Sequence, residues 1–187
     1  FKFVERVIGV LAILERNEDY YGEPAKLDRM IYPQLTDPAT RMSALRAGET
    51  NMLTEPAWDE IENLVDEGFQ LLLQPNVPSV WYAQFNMKNP VLQDVRVRRA
   101  INMAVDREYV TNENYKGTAH AEHGMLSAGT FAYDPNYKPY PYDPEGAKKL
   151  LAEAGYADGL EITLETFDYG WNEAWEKAVQ RDLKKVG

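Results

Sequence analysis

The sequence predicts a mixed α/β fold, and three observations carry that expectation. Apolar stripes of helical period alternate along the chain with short β-branched or aromatic runs. Helices open on Asp-Pro at Asp37–Pro38 and Asp143–Pro144, and stop on Gly48, Gly68, Gly117 and Gly155. The run "LEITLETF" alternates apolar and polar residues with period two, as a half-buried strand does.

From the N-terminus, "FKFVERVIGVLAILER" is apolar and β-branched with Gly9 in the middle, which predicts a hairpin. "NEDYYGEPAK" is turn chemistry, and "LDRMIYPQL" returns to a strand that Pro33 confines to an edge or an end. Asp37 then caps a helix that buries Met42 and Leu45 and stops at Gly48. In "PAWDEIENLVDEGF", Trp58, Ile61, Leu64 and Val65 share one helical face. "FQLLLQP" and "VWYAQFN" read as strands. "DVRVRRAINMAVD" is a helix with Val97, Ala100, Ile101 and Ala104 inward, and "DREYVTNENYKG" is another, capped by Asp106. Thr118–Tyr142 is punctuated by Gly and Pro; an irregular stretch this long is usually functional or wrapped over a surface. "DPEGAKKLLAEAGY" is a helix with Leu150 and Leu151 inward. "LEITLETF" follows as a strand, and "NEAWEKAVQRDLKKVG" as a helix burying Trp175, Val179 and Leu183.

Composition narrows the function. With 187 residues, 44% hydrophobic and 27% charged, the chain is globular, one domain or two small ones. A formal charge of −10 opposes a nucleic-acid partner and adhesion to anionic lipid, both of which need a basic face. The absence of cysteine excludes disulfides, thiolate metal sites and a cysteine nucleophile. No window reaches the roughly 18 apolar residues of a membrane-spanning helix. Both ends, at Phe1 and after "DLKKVG", read as cut, so the chain is expected to be a piece of a longer protein.

No residue set announces catalysis. His120 and His123 in "HAEHG" are the only histidines, and the flanking Gly117 and Gly124 place them in a loop. Two imidazoles without a third ligand do not make a closed metal site, so no structural metal and no cofactor are expected. There is no G-x-S-x-G, no phosphate-cradling Gly loop and no H-E-x-x-H, which disfavours an enzyme. The aromatic run at Trp81, Tyr82 and Phe85 carries more. Strand alternation would send Tyr82, Gln84 and Asn86 to one face and Trp81, Ala83 and Phe85 to the other. One reading makes the first face half-exposed scaffold. The other makes it a ligand wall, with Tyr82, Gln84, Asn86 and the neighbouring Trp81 as candidate ligand-binding residues.

The stretch "ERNEDYYGEPAKLDRMIYPQLTDPATRMSALRAGETNML" resembles the signature region of the family 5 extracellular solute-binding proteins. These are dipeptide-, oligopeptide- and nickel-binding receptors of bacterial ABC importers. Arg16, Asn17, Asp19, Tyr20, Asp37, Arg41, Ala44, Leu45, Gly48 and Glu49 hold the family's places. Glu18, Tyr21 and Asn51 depart from its usual Pro, Trp and Asp. A second block, "FNMKNPVLQDVRVRRAINMAVDREYV", and a third, from "LSAGTFAYDPN" through "YDPEGAKKLLAEAGY", follow in the family's order. As residues, Asp37, Arg41, Glu49, Arg96, Arg98 and Asp106 read as scaffold, with Arg41 and Glu49 fixing the helix to the turn before the strand that follows it.

The resemblance implies a periplasmic-binding-protein-like (type II) two-lobed fold of which only part of each lobe is present. Residues 1–85 would belong to the first lobe and 86–187 to the second. It implies a non-enzymatic periplasmic or extracytoplasmic receptor that captures short peptides between lobes and delivers them to an ABC membrane permease. The membrane would be met only through the permease or a lipid anchor. A metal or metallophore receptor of the same family is the alternative, with His120 and His123 as its pointer, and a secreted hydrolase the distant one. The acidic anchor for a peptide's α-amino group belongs to a part of the family absent from this chain, so it maps onto no residue here.

Overall fold

The computed structural model of the protein describes residues 1–74, 77–166 and 173–187. They divide into two compact units, Phe1–Glu60 and Ile61–Gly187.

In the first unit, Gly9 sets the opening turn. Its φ of +78° is open to glycine at no steric cost, and the Val10 N–H reaches the Val7 carbonyl at 3.0 Å. Strand β1 (Lys2–Val7) thereby folds back antiparallel on β2 (Leu11–Glu15), and β2 pairs antiparallel with β3 (Arg29–Pro33) in the order β1-β2-β3. Ile13, opposite Ile31, is the buried strand residue. Pro33 ends an edge strand, where its missing N–H breaks no ladder. The family-pattern residue Arg16 closes the turn between β2 and β3, pairing with Glu18 and Asp28, each at 2.8 Å.

Helix α1 (Pro38–Arg46) starts where the Asp37 carboxylate accepts the Thr40 N–H at 2.7 Å. A cap of this kind is worth ~1 kcal/mol. It buries Met42 and Ala44, with Leu45 half-buried beside them. Arg41 reaches back over the cap and donates to the carbonyls of Leu35 at 3.0 Å, Thr36 at 2.8 Å and Glu55 at 3.1 Å. Arg41 therefore fixes the helix to the turn that enters it, which was not expected, as well as to the chain after it at Glu55. Glu49 contributes through its backbone, its N–H closing the helix on the Ala44 carbonyl. A 3-10 turn at Trp58–Glu60 follows, with Glu60 paired to Arg46 at 3.0 Å.

In the second unit, α2 (Ile61–Asp66) buries Ile61 and Leu64 but leaves Val65 exposed. The core lies further on. A short α3 (Pro90–Gln93), capped by Asn89, runs into α4 (Val95–Ala104), capped by Asp94. Val97, Ala100 and Ala104 on α4 have no exposed surface. Burying a side chain the size of valine stabilises by about 1.5–3 kcal/mol. The small alanines let α6 (Pro144–Glu153) pack closely through Ala147 and Leu151. Gly146 suits that close approach: a Cβ there would crowd the capping Asp143 carboxylate and stand 2.8 Å from the Met103 methyl, so both side chains would have to shift. Ile101 and Leu150, expected inward, pack half-buried at the margin of this core.

Arginines again tie ends to ends. Arg98 donates to the carbonyls of Leu92 and Gln93, both at 2.8 Å, and Arg96 to the last carbonyl of α6, Glu153, at 2.6 Å. Helix α5 (Arg107–Tyr115), capped by Asp106, ends on left-handed Lys116 and Gly117. It packs against α7 (Glu173–Lys184). The buried side of α7 is one residue round from the expected stripe: Ala178 and Asp182 are buried, Trp175, Val179 and Leu183 half-buried. Asp182, fully enclosed, accepts from the Asp106 N–H at 3.1 Å, Arg181 at 2.8 Å and Lys185 at 2.9 Å. Burial alone would raise its carboxyl. The Lys185, Arg181 and Asp106 hydrogen bonds outweigh that and hold it below the usual aspartate range.

Three expected strands are corrected. Residues 69–74, 80–86 and 160–166 form no strand among the described residues; Pro75 and Phe167, the remaining positions of those runs, lie outside them. A strand exists only by pairing with a neighbour, and no described segment pairs with these runs in a ladder. Their apolar residues divide between core and surface: Phe85 and Leu160 pack against the α4–α6 cluster, while Leu72, Leu73 and Trp81 are exposed.

Two outcomes follow for stability. Arg98→Leu strips the donor from two carbonyls and should cost about 1–3 kcal/mol in urea unfolding, whereas exposed Arg99→Leu should stay within about 0.5 kcal/mol. Asp182→Asn should cost about 1–3 kcal/mol at neutral pH. Because the folded state lowers this carboxyl's pKa, its contribution is complete above the ordinary value of ~3.9 and is lost as pH falls through the folded value. The unfolding curves of wild type and variant should therefore converge on acidification; a gap that stays constant would show that the charge is not its source.

Candidate functional site

The expected ligand wall lies on a segment fixed at both ends. At its start, buried Ser127 donates its hydroxyl to the Val77 carbonyl at 2.9 Å, and the Ser79 N–H turns back on the same carbonyl at 2.7 Å. At its end, Phe85 packs on the cluster of Leu92, Val97, Ala100 and Ala147. Asn86 then builds the turn into α3: its side-chain oxygen accepts the Lys88 N–H at 3.1 Å and its carbonyl the Asn89 N–H at 3.0 Å. Between these anchors the chain is open to solvent.

Tyr82 is 50% exposed, Trp81 is 61% exposed, and Gln84 is exposed with them. Alternation put Trp81 and Phe85 on one face, yet Phe85 packs on the core and Trp81 does not. The alternation that grouped them presupposed a strand, and without a ladder it does not dictate facing. Trp81, Tyr82 and Gln84 thus share one exposed span. Asn86 follows it, with its side-chain oxygen already engaged in the turn.

The long segment after α5 is irregular, as its composition suggests, but it is built from closed turns. Thr130 N–H bonds to Ser127, Tyr133 N–H to Thr130 and Tyr137 N–H to Asp134, at 2.8, 3.2 and 3.1 Å. His120 is exposed and His123 half-buried. No group of three or more His, Cys, Asp or Glu side chains disposed to hold a metal occurs among the described residues. The segment lines an open-sided concavity of about 380 Å³ beside His123, with Glu108 from the first turn of α5 on its wall. Sequence reasoning missed Ser127 as the anchor of the open span, and it missed this hollow. Its one signal was the length of the irregular segment.

Comparison with known proteins assigns the architecture. Heme-binding protein A of Haemophilus influenzae is 34% identical over 146 residues, 78% of this chain and 26% of that protein. Di/tripeptide-binding protein 3 of Pseudomonas aeruginosa is 30% identical over 167 residues, 88% of this chain and 29% of that protein. Among solved structures, the ABC transporter-associated periplasmic binding protein DppA of Helicobacter pylori, in complex with peptide STSA, superposes with a TM-score of 0.82 at 30% identity. That match covers 100% of this chain and 36% of the other. The fold is that of part of a type II periplasmic binding protein. The family model for bacterial extracellular solute-binding proteins, family 5 Middle, matches residues 1–187, and the chain belongs to that family.

Proposed function

We propose that the whole protein of which this sequence forms part is the solute-binding component of a bacterial ABC importer, and that it captures short peptides. The observation that carries this reading is the likeness, along the full chain, to a binding protein solved with a peptide. A di/tripeptide-binding relative at 30% identity supports the same ligand class. On this reading residues 1–85 fall in the first lobe and 86–187 in the second, and the ligand is taken between them in the periplasm or its extracytoplasmic equivalent. The bound peptide is handed to the membrane permease, and no bond is made or broken.

Closure needs only that the ligand interact better with the closed arrangement than with the open one. The span Trp81–Gln84 suits such a role. Aromatic faces offer apolar contact to peptide side chains of any sequence, and the Gln84 amide can both donate to and accept from a peptide backbone. Water between ligand and wall adapts its hydrogen bonds to different guests, which tolerates variety in sequence.

The test is calorimetry of the full-length protein against di- to tetrapeptides. Tyr82→Ala and Gln84→Ala should each weaken the best peptide by about 2–10-fold, the equivalent of one modest contact. Unchanged affinity in both variants, with folding intact, would make this span scaffold. Binding of heme or a metal chelate in place of any peptide would replace the ligand class.

A further inference from the structure

The loop after α5 turns a hydroxyl inward and leaves an apolar side chain outside. Ser127 is 5% exposed, whereas its neighbour Leu126 is 43% exposed. Burial alone selects the reverse, so the inward position is occupied for the sake of the hydroxyl and its partner. That partner is not in the loop: it is the Val77 carbonyl, 50 residues earlier in the chain.

Both ends of this bond are themselves held. The Ser127 carbonyl accepts the Thr130 N–H at 2.8 Å, and the Thr130 hydroxyl stands 3.4 Å from that of Ser127. The Val77 carbonyl accepts the Ser79 N–H at 2.7 Å, a γ-turn pattern that suits the fixed φ of Pro78 at its centre. The carbonyl therefore has a donor from its own turn without Ser127. What the hydroxyl adds is a fixed place for that turn relative to the loop, and Trp81 follows the turn two residues after Ser79. Ser127 has almost no surface of its own to offer a ligand, so an effect on binding must run through the span it holds.

We propose that Ser127 is a positioning residue for ligand capture: through the Val77 carbonyl it sets where Trp81, Tyr82 and Gln84 stand before a ligand arrives. The inference rests on the peptide reading, under which these three side chains meet the ligand. A span ordered in advance loses less freedom on binding, so releasing it lowers affinity although no ligand contact is removed.

Calorimetry of the full-length protein with its best peptide tests this through a double-mutant cycle. Ser127→Ala should weaken binding about 3–10-fold in the otherwise wild-type protein. In a Tyr82→Ala, Gln84→Ala background, where most of what Ser127 positions is gone, the same substitution should weaken it by less than about twofold. A general loss of stability acts alike in both backgrounds and cancels. Ser127→Cys, close in size but a weaker donor, should fall between serine and alanine, and it carries the cycle if the alanine variant does not fold. Where Tyr82→Ala and Gln84→Ala weaken the peptide, unchanged affinity in Ser127→Ala, or equal losses in the two backgrounds, would overturn the positioning role alone. If those two variants bind as wild type does, the ligand role of the span falls, and the role of Ser127 falls with it.

Discussion

The second unit is organised around one enclosed carboxylate. Asp182 has no exposed surface, yet it sits on α7 and accepts the N–H of Asp106, the residue that caps α5. A lone charge in that position would cost several kcal/mol. It is tolerated because Arg181 and Lys185, from the same helix, supply charged donors while keeping part of their own surface in water. Because both cations stay half-wet, the full desolvation cost falls on the carboxylate alone, not on each partner. The result is a fixed point joining α7 to the junction of α4 and α5. Arg181 extends it outward by lying 4.3 Å from the centre of the Tyr109 ring.

A second device appears once in each unit and accounts for the frame of residues around α1. In both "DPATR" and "DVRVR" an Asp caps the helix and an Arg four residues later turns back past it. Arg41 meets the carbonyls six and five residues before it, Leu35 and Thr36; Arg98 meets those six and five before it, Leu92 and Gln93. The cap satisfies orphan N–H groups of the helix while the arginine satisfies the carbonyls of the approaching chain. Each Asp thus serves the helix and each Arg the turn, so the pair fixes the angle at which the chain enters the helix. This use explains the spacing without any ligand.

Helices were legible in the sequence for the same reason. A helix closes its hydrogen bonds within itself, so its caps, stripes and stops are written locally: Asp37, Asp106 and Asp143 cap where they should, and Gly48, Gly68 and Gly155 all take positive φ. Hairpins are nearly as local, and the turn at Gly9 was readable. The runs at 69–74, 80–86 and 160–166 depend on a partner elsewhere, and composition cannot report whether one is present. Asp182 was illegible for a related reason. A charged residue between Arg181 and Leu183 reads as a solvated position, because its burial is decided by α5, not by α7. Ser127 was hidden likewise, since the contact that anchors the span lies 50 residues away.

These limits bear on how the candidate span can work. Between Ser127 and the core contact of Phe85, the chain carrying Trp81, Tyr82 and Gln84 is held at both ends while its side chains face water. Immobilising a free loop on a ligand costs conformational entropy that comes out of the affinity. Here the folded chain has met part of that cost in advance, through one buried hydroxyl and one packed ring. Modest contacts can then contribute to binding without first having to order their own backbone. The same arrangement makes Asn86 different in kind from Tyr82 and Gln84. Its oxygen is already spent on the turn into α3, so what it could still offer a ligand is its amide N–H₂, and replacing it would disturb the turn as well. A residue of that sort reports on scaffold and site together, whereas Tyr82 and Gln84 report on the site alone.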